Sequence, residues 1–345
     1  IPIAVLGGVF APDLLRLMGA APEVVATGSG FTRVMFSGNF VILLLFLINA
    51  IFRGAGDAAI AMRSLWIANI CNMILDPLLI FGIGPFPRLG VQGAAFATTV
   101  GRGMGVLYQF YRLAGEGKRF AIHREHLKVE IPILSAMLRL SGTGIFQILI
   151  GTASWVGLVR VISSFGSQAL AGYTVGIRIF LFALLPSWGM ANAAATMVGQ
   201  SLGARKPDRA EQAVWLAGFY NLCFLGSVGI LFVILAPVLL PLFSHDPEVV
   251  RIGVQCLRIV SAGFPFYAYG MVLTNAFNGA GDTWTPTLIN LFCFWCWEIP
   301  LAWVLAKTVG MGPAGVFIAV AVAFSTLAVI SAVLFRRGRW KGRRV

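Results

Sequence analysis

Apolar residues in this chain gather into runs of roughly 20–30, each closed by a short group of glycine, proline or charge. The runs cover residues 27–52, 60–84, 91–113, 134–162, 167–199, 213–242, 254–277, 286–308 and 313–335. A helix of that length crosses a hydrocarbon core of about 30 Å. Nine spans and an opening fragment predict an all-α polytopic membrane protein.

The breaks between runs repeat. Gly-Ala-Gly-Asp stands at 54–57 and again at 279–282, and Pro22-Glu-Val-Val matches Pro247-Glu-Val-Val at the same offset. Downstream, "LGVQGAAFATTVG" at 89–101 answers "MGPAGVFIAVAVA" at 311–323. Several matches at nearly one offset mark a duplication. Glycine can end a helix in the left-handed conformation and Asp can cap the next, so GAGD predicts a tight turn rather than a binding motif.

Spans 134–335 supply six helices to the second repeat, and an even number returns the chain to its starting side. The repeats are therefore expected to be parallel: two six-helix lobes related by a pseudo-two-fold along the membrane normal. Nothing matches 134–225, so the first lobe reads as lacking about two and a half helices, or about 90 residues. The opening "IPIAVLGGVFAPDLLRLM" has no basic start or small-residue cleavage site, so it reads as the end of a truncated helix rather than a signal peptide. Such a chain is expected to insert but not to pump. The expected division is an incomplete N-terminal lobe at 1–114, a linker at 115–133, a C-terminal lobe at 134–336 and a basic tail at 337–345.

Composition agrees with this class. The 345 residues are 58% hydrophobic and 11% charged, against about 25% charged in soluble domains. Net charge is +13, which raises a nucleic-acid partner, but the cations sit where topology explains them. Arg112, Lys118, Arg119, Arg124 and Lys128 precede the second lobe; Arg205, Lys206 and Arg209 fill one break; Arg336, Arg337, Arg339, Lys341, Arg343 and Arg344 close the chain. Counting crossings places all three groups on one side. That side is cytoplasmic by the positive-inside rule, in a cell (inner or plasma) membrane.

Catalytic chemistry finds no foothold. Cys293 and Cys296 have CxxC spacing without a second Cys or His pair, and read as two packed thiols. His123 and His126 do not form the zinc signature HExxH. No enzyme activity, cofactor or metal centre is expected.

Polar groups inside spans are costly and mark function. In "WIANICNMILDPLL", Asn69, Asn72 and Asp76 share one helical stripe. With the Thr98 hydroxyl from the next span they would suit a sodium ion, which takes hard oxygen ligands, or a proton. The bland reading makes Asp76 a hydrated residue beside Pro77. Glu298 is the second intramembrane acid, with Arg160 and Arg178 as candidate partners in a structural pair or a transport role. Gln147 and Asn192 offer neutral contacts or helix glue, and Gly101/Gly105, Gly172/Gly176 and Gly199/Gly203 have the spacing of close helix contacts.

The stretches "FRGAGD", "NICNMILDPLLIFG", "LGVQGAAFAT", "AAATMVGQSLGARKPDRA" and "NAFNGAGDTWTP" together resemble the multidrug and toxic-compound extrusion (MATE) family, over essentially the whole chain. The resemblance implies a monomeric, ion-coupled antiporter. Its cargo would be lipophilic or cationic small molecules, carried from a cavity between lobes, with H+ or Na+ as the coupling ion and membrane lipid around it. It also implies that Asn72, Asp76 and Thr98 belong to the cation site of the N-terminal lobe, whose first-helix Asp would precede Ile1. Trp297 and Leu301 stand in the places of Asn72 and Asp76 in the second repeat. The seventh-helix acid of some members has no counterpart in "SGTGIFQILIGTASW". Two alternatives stand beside this reading: a lipid-linked oligosaccharide flippase of the same superfamily, and a non-transporting assembly partner.

Overall fold

In a computed structural model, the structure describes residues 2–17, 22–114 and 130–342. The chain forms two compact units, Ile1–Lys128 and Val129–Val345. Among the described residues every regular element is helical. Unit 1 contains α1 (Pro2–Val9), α2 (Ala11–Leu17), α3 (Pro22–Ser37), α4 (Asn39–Gly54), α5 (Ala58–Phe81) and α6 (Val91–Leu113). Unit 2 contains α7 (Ile131–Ser163), α8 (Ser167–Gly203), α9 (Pro207–Leu239), α10 (Pro247–Ala262), α11 (Phe264–Gly279), α12 (Trp284–Asn290), α13 (Ile299–Trp303) and α14 (Pro313–Arg336). Two π-helical stretches, Leu291–Glu298 and Val304–Thr308, flank α13 and make 284–308 one continuous rod.

Each expected span has a helical counterpart. Six single helices are long and apolar enough to cross a membrane, and α3–α4 and α10–α11 bring the number to eight if each bent pair is one span. The 23-residue α6 does not reach that apolarity. Glycines and the polar Gln92, Arg102 and Gln109 dilute it, and its small side chains serve packing instead. Gly93, Ala97, Gly101 and Gly105 are buried at four-residue spacing. A Cβ at Gly93, Gly101 or Gly105 would stand 2.5–2.8 Å from the Leu79, Ala68 or Ser64 carbonyl of α5. This is close backbone approach through small residues.

The repeat recurs bond by bond within each unit. In unit 1 the Ala55, Gly56 and Asp57 amides donate to the Ile51, Arg53 and Phe52 carbonyls at 2.9, 3.0 and 2.8 Å. In unit 2 Ala280, Gly281 and Asp282 donate to Ala276, Asn278 and Phe277 at 3.0, 3.0 and 2.9 Å. Gly56 (φ 90°) and Gly281 (φ 72°) take the left-handed conformation that glycine tolerates. Asp57 then accepts from the Ile60 amide at the start of α5, and Asp282 from the Thr285 amide and hydroxyl at the start of α12. A third copy joins α8 to α9. Ala204, Arg205 and Lys206 donate to Gln200, Leu202 and Ser201 in the same pattern, with Arg205 (φ 56°) in the glycine position.

The bends correspond too. Gly38 divides α3 from α4 at 41°, and Gly263, at the same repeat offset, divides α10 from α11 at 57°. Pro265, whose counterpart is Phe40, removes a backbone donor in the sharper case. The core of unit 2 lies around α8, α11 and α14, with Tyr173 stacked on Phe317 and Phe180 against Phe264 and Phe324. Gly172 and Gly176 of α8 meet α10, and Gly199 meets the Gly279 carbonyl, whereas Gly203 has open space where a Cβ would stand. The 199/203 spacing is therefore half a contact.

Candidate functional site

In unit 1, α5 brings Asn72 and Asp76 to α6. Asp57 starts the helix, and Gly82 (φ 73°) ends it. Pro77 lies inside the helix and has no amide to give the Met73 carbonyl, which leaves one more hard oxygen in the turn between Asn72 and Asp76. The Asn72 amide donates to Thr98 Oγ1 across the α5–α6 seam at 3.4 Å. Gly101, one turn further along α6, permits this approach, since a Cβ there would lie 3.0 Å from the Asn72 amide nitrogen. Asp76 is half-buried, and its Oδ1 is fully buried without a hydrogen-bond partner. A buried carboxylate oxygen left without a donor is costly unless a cation or proton meets it. Asn69 is exposed and lines a depression of about 300 Å³ with Met62, Leu65, Trp66, Ile70 and Met73. The structure thus joins Asn72 to Thr98, sets Asp76 one turn away, and leaves Asn69 on the outer face.

Below this site lies a polar knot that spacing alone does not reveal. Asn49 of α4, Ser64 of α5 and Gln109 of α6 are all buried to 1% exposure or less. Ser64 Oγ and Gln109 Nε2 both donate to Asn49 Oδ1 at 2.8 Å, and Gln109 reaches Ser64 Oγ at 3.2 Å. One polar group from each helix fixes their rotation. The available signal was an amide near the end of each of two apolar runs, Asn49 in 27–52 and Gln109 in 91–113.

In unit 2, Glu298 is 3% exposed at the end of the first π-helical stretch. The Ser154 hydroxyl of α7 lies within hydrogen-bonding reach of Glu298 Oε2 (3.1 Å) and of the Phe294 carbonyl (3.0 Å). The expected pairing with Arg160 or Arg178 is not made. Both arginines sit on exposed helix faces, and the ion pairs among the described residues do not include Glu298. Sequence position puts all three in spans, but helix rotation turns the acid inward and the arginines outward.

Gln147 is committed to packing. It exchanges amide hydrogen bonds with Asn278 (3.1 and 3.2 Å) and donates to the Thr283 carbonyl at 3.0 Å, while Thr143 donates to Thr283 Oγ1 at 2.6 Å. These bonds pin α7 onto the second GAGD turn. Asn192 is exposed. Cys293 is buried but Cys296 is exposed, so the CxxC residues are not two packed thiols. Among the described residues no group of His, Cys, Asp and Glu could hold a metal ion by itself; His123 and His126 lie outside them.

A family profile described as MatE matches residues 1–78 and 144–304, well over half of the chain. The chain belongs to the MatE family. It is 27% identical over 326 residues to "Probable multidrug resistance protein YoeA" of Bacillus subtilis (strain 168), covering 94% of this chain and 70% of the relative. A relative from Shewanella oneidensis named "FAD transporter" is 26% identical, covering 87% of this chain and 66% of the relative. A solved structure described as "Crystal structure of MATE in the bent conformation" superposes with TM-score 0.88 at 25% identity, covering 98% of this chain and 74% of that one. This MatE chain is thus a multi-span membrane protein of a transporter family, and its multidrug-resistance relatives imply small-molecule substrates.

Proposed function

We propose that this MatE chain is a secondary active efflux transporter that exchanges lipophilic or cationic small molecules for H+ or Na+ by alternating access. Its basic breaks and tail would face the cytoplasm, and Asp76 would be the coupling carboxylate. The observation that carries the reading is the buried Asp76 Oδ1 without a donor, one turn from the Asn72–Thr98 pair. A proton would satisfy that oxygen directly. A sodium ion would take the carboxylate with the Asn72 amide oxygen, the Thr98 hydroxyl and the Met73 carbonyl as neutral ligands. Either ion binds better to the facing state in which these groups converge, and that difference in affinity biases the transport cycle. Asn69, on the outer face, is a lesser member of the set.

The test is efflux of a fluorescent organic cation from proteoliposomes that carry the chain with its first lobe completed to six helices, under imposed H+ or Na+ gradients, with FAD as a second cargo. Gradient-dependent efflux that Asp76→Asn abolishes at normal expression supports the reading. Wild-type rates from that variant would leave Asp76 a hydrated residue beside Pro77. Export of FAD without export of the dye would move the substrate class.

A further inference from the structure

Where α8, α9 and α14 meet, unit 2 presents cations from two distant stretches of sequence. Arg205, Lys206 and Arg209 flank the α8–α9 turn, and Arg336, Arg337 and Arg339 follow α14; all are exposed. The segment after α14 is not loose. It turns back at Gly338 (φ 72°) and buries Trp340 to 1% exposure. The Trp340 indole stacks on Phe335 at 4.5 Å and donates to the Phe335 carbonyl at 2.8 Å. Lys341 then bridges to α9, 3.0 Å from Asp208 and 2.6 Å from Glu211. Arg336 lies over the Trp215 ring of α9, 5.3 Å from its centroid.

This clamp has an electrostatic consequence. Asp208 and Glu211 could have neutralised the neighbouring arginines, but both are held by Lys341. Asp282, the other acid here, is buried and bonded to Thr285. Among the described residues, the six named cations make no ion pair. They are gathered at the ends of apolar helices long enough to cross a membrane, where a headgroup layer would lie. Beside them is a cleft of about 200 Å³ lined by Arg337, Arg339 and Trp340 and by Phe277, Leu288 and Leu334, together with Asp282 and Thr285, which bond to each other. A lining that joins cations to apolar side chains suits an amphiphile better than a free phosphate, which would gain nothing from the apolar residues.

We propose that this end of unit 2 binds an anionic glycerophospholipid. Arg336, Arg337 and Arg339 take the phosphodiester, and Phe277 and Leu334 take the first carbons of an acyl chain. Arg205, Lys206 and Arg209 extend the surface. Guanidinium groups match phosphate oxygens in pairs, and clustered basic residues at the cytoplasmic end of a span attract anionic lipid. The site does not depend on what the protein transports.

The test uses the full chain in mild detergent at near-physiological salt, with dioleoyl phosphatidylglycerol as the probe and dioleoyl phosphatidylcholine as its neutral counterpart, read by native mass spectrometry. Phosphatidylglycerol should be retained about tenfold better than phosphatidylcholine. The variant R336Q/R337Q/R339Q should lose that preference, whereas the charge-matched R88Q/R160Q/R258Q should keep it. Millimolar inorganic phosphate should not displace the lipid. Equal losses in the two variants would reduce the effect to net charge and overturn the site. Full displacement by phosphate would make it a free-anion site, and retention of the preference by R336Q/R337Q/R339Q would remove the arginines from it.

Discussion

Helices α5 and α6 of unit 1 and the segment 284–336 of unit 2 share a frame and differ in what they hold. Gly90 (φ 56°) and Gly312 (φ 61°) precede the last helix of each frame. Gly93 presses on the backbone of Leu79 and Ile80, and Gly315 on that of Leu305 and Ala306. Inside the frames the side chains diverge. The positions of Asn72, Asp76 and Thr98 in unit 1 correspond in sequence to Trp297, Leu301 and Val320 in unit 2. The acid of unit 2 matches Met73, about a quarter-turn around the helix. Glu298 therefore turns to Ser154 of α7, where Asp76 stands near the α6 seam. The glycines persist because backbone contact leaves no substitute. The polar residues could diverge because the frame does not need them.

The largest expected effect breaks the comparison at its chemical end. Asp76→Asn should lower gradient-driven efflux about tenfold or more, since the ion-dependent bias between facing states disappears. Leu301→Met, the matching site in unit 2, should leave the rate within about twofold, as a volume-conserving swap does. Equal losses at the two positions would mean that the frame, and not the carboxylate, is being read.

A second prediction separates the two GAGD turns, which one hydrogen-bond pattern makes look equivalent. Among the described residues, a Cβ at Gly54 would meet nothing within 4 Å, whereas at Gly279 it would run into the Ala195 backbone. Gly279→Ala should therefore cost about 1–3 kcal/mol as overpacking. Gly54→Ala should be neutral or slightly stabilising, because alanine lowers the freedom of the unfolded chain. Detergent melting curves of the two variants decide it.

Which parts of this were legible in the sequence follows from what sets them. The GAGD turns were readable because glycine and aspartate act on their own backbone within four residues. The spans were readable because length and apolarity are local sums, and α6 remained recognisable as a helix despite its lower apolarity because Gly90 opens it and small residues recur along it at four-residue spacing. The partner of Glu298 was not readable. Arg160 and Arg178 lie in neighbouring spans, but which face each helix turns inward depends on packing across α7, α8 and α14. The Asn49–Ser64–Gln109 knot needs three helices in register, and no single stretch encodes that. Gly203 has the spacing of a contact but no helix against it.

The Glu298 environment yields a smaller effect. With Ser154 as its neutral partner and no arginine to orphan among the described residues, Glu298→Gln should keep the fold as stable as wild type or better, since glutamine keeps an acceptor for Ser154 and cannot carry a buried charge. Ser154→Ala should lower stability by about 1 kcal/mol, the typical worth of a lost hydrogen bond. A large drop in melting temperature for Glu298→Gln would restore an ionic partner to the acid.

The smallest effect concerns the two Pro-Glu-Val-Val starts. In unit 2, Asp246 caps α10, its Oδ1 accepting from the Glu248 amide at 2.8 Å and the Val249 amide at 3.3 Å. The Glu248 amide, then the Gln168 side chain and the Val249 amide, hold the Asp246 carboxyl below its ordinary pKa of 3.8. A depressed carboxyl stabilises the fold above the unfolded pKa, and that contribution disappears as pH falls through the folded value. The cap should therefore be intact at neutral pH and fade only below about 4, the ordinary carboxylate range. In unit 1 the matching position is Ala21, which has no carboxyl to lose. Hydrogen exchange at the Val249 amide should quicken in acid relative to the Val24 amide, beyond the intrinsic pH trend shared by both. Asp246→Asn should flatten that difference, because asparagine caps a helix without titrating. If the two amides instead track each other through pH 4, the Asp246 carboxylate contributes nothing measurable to the start of α10.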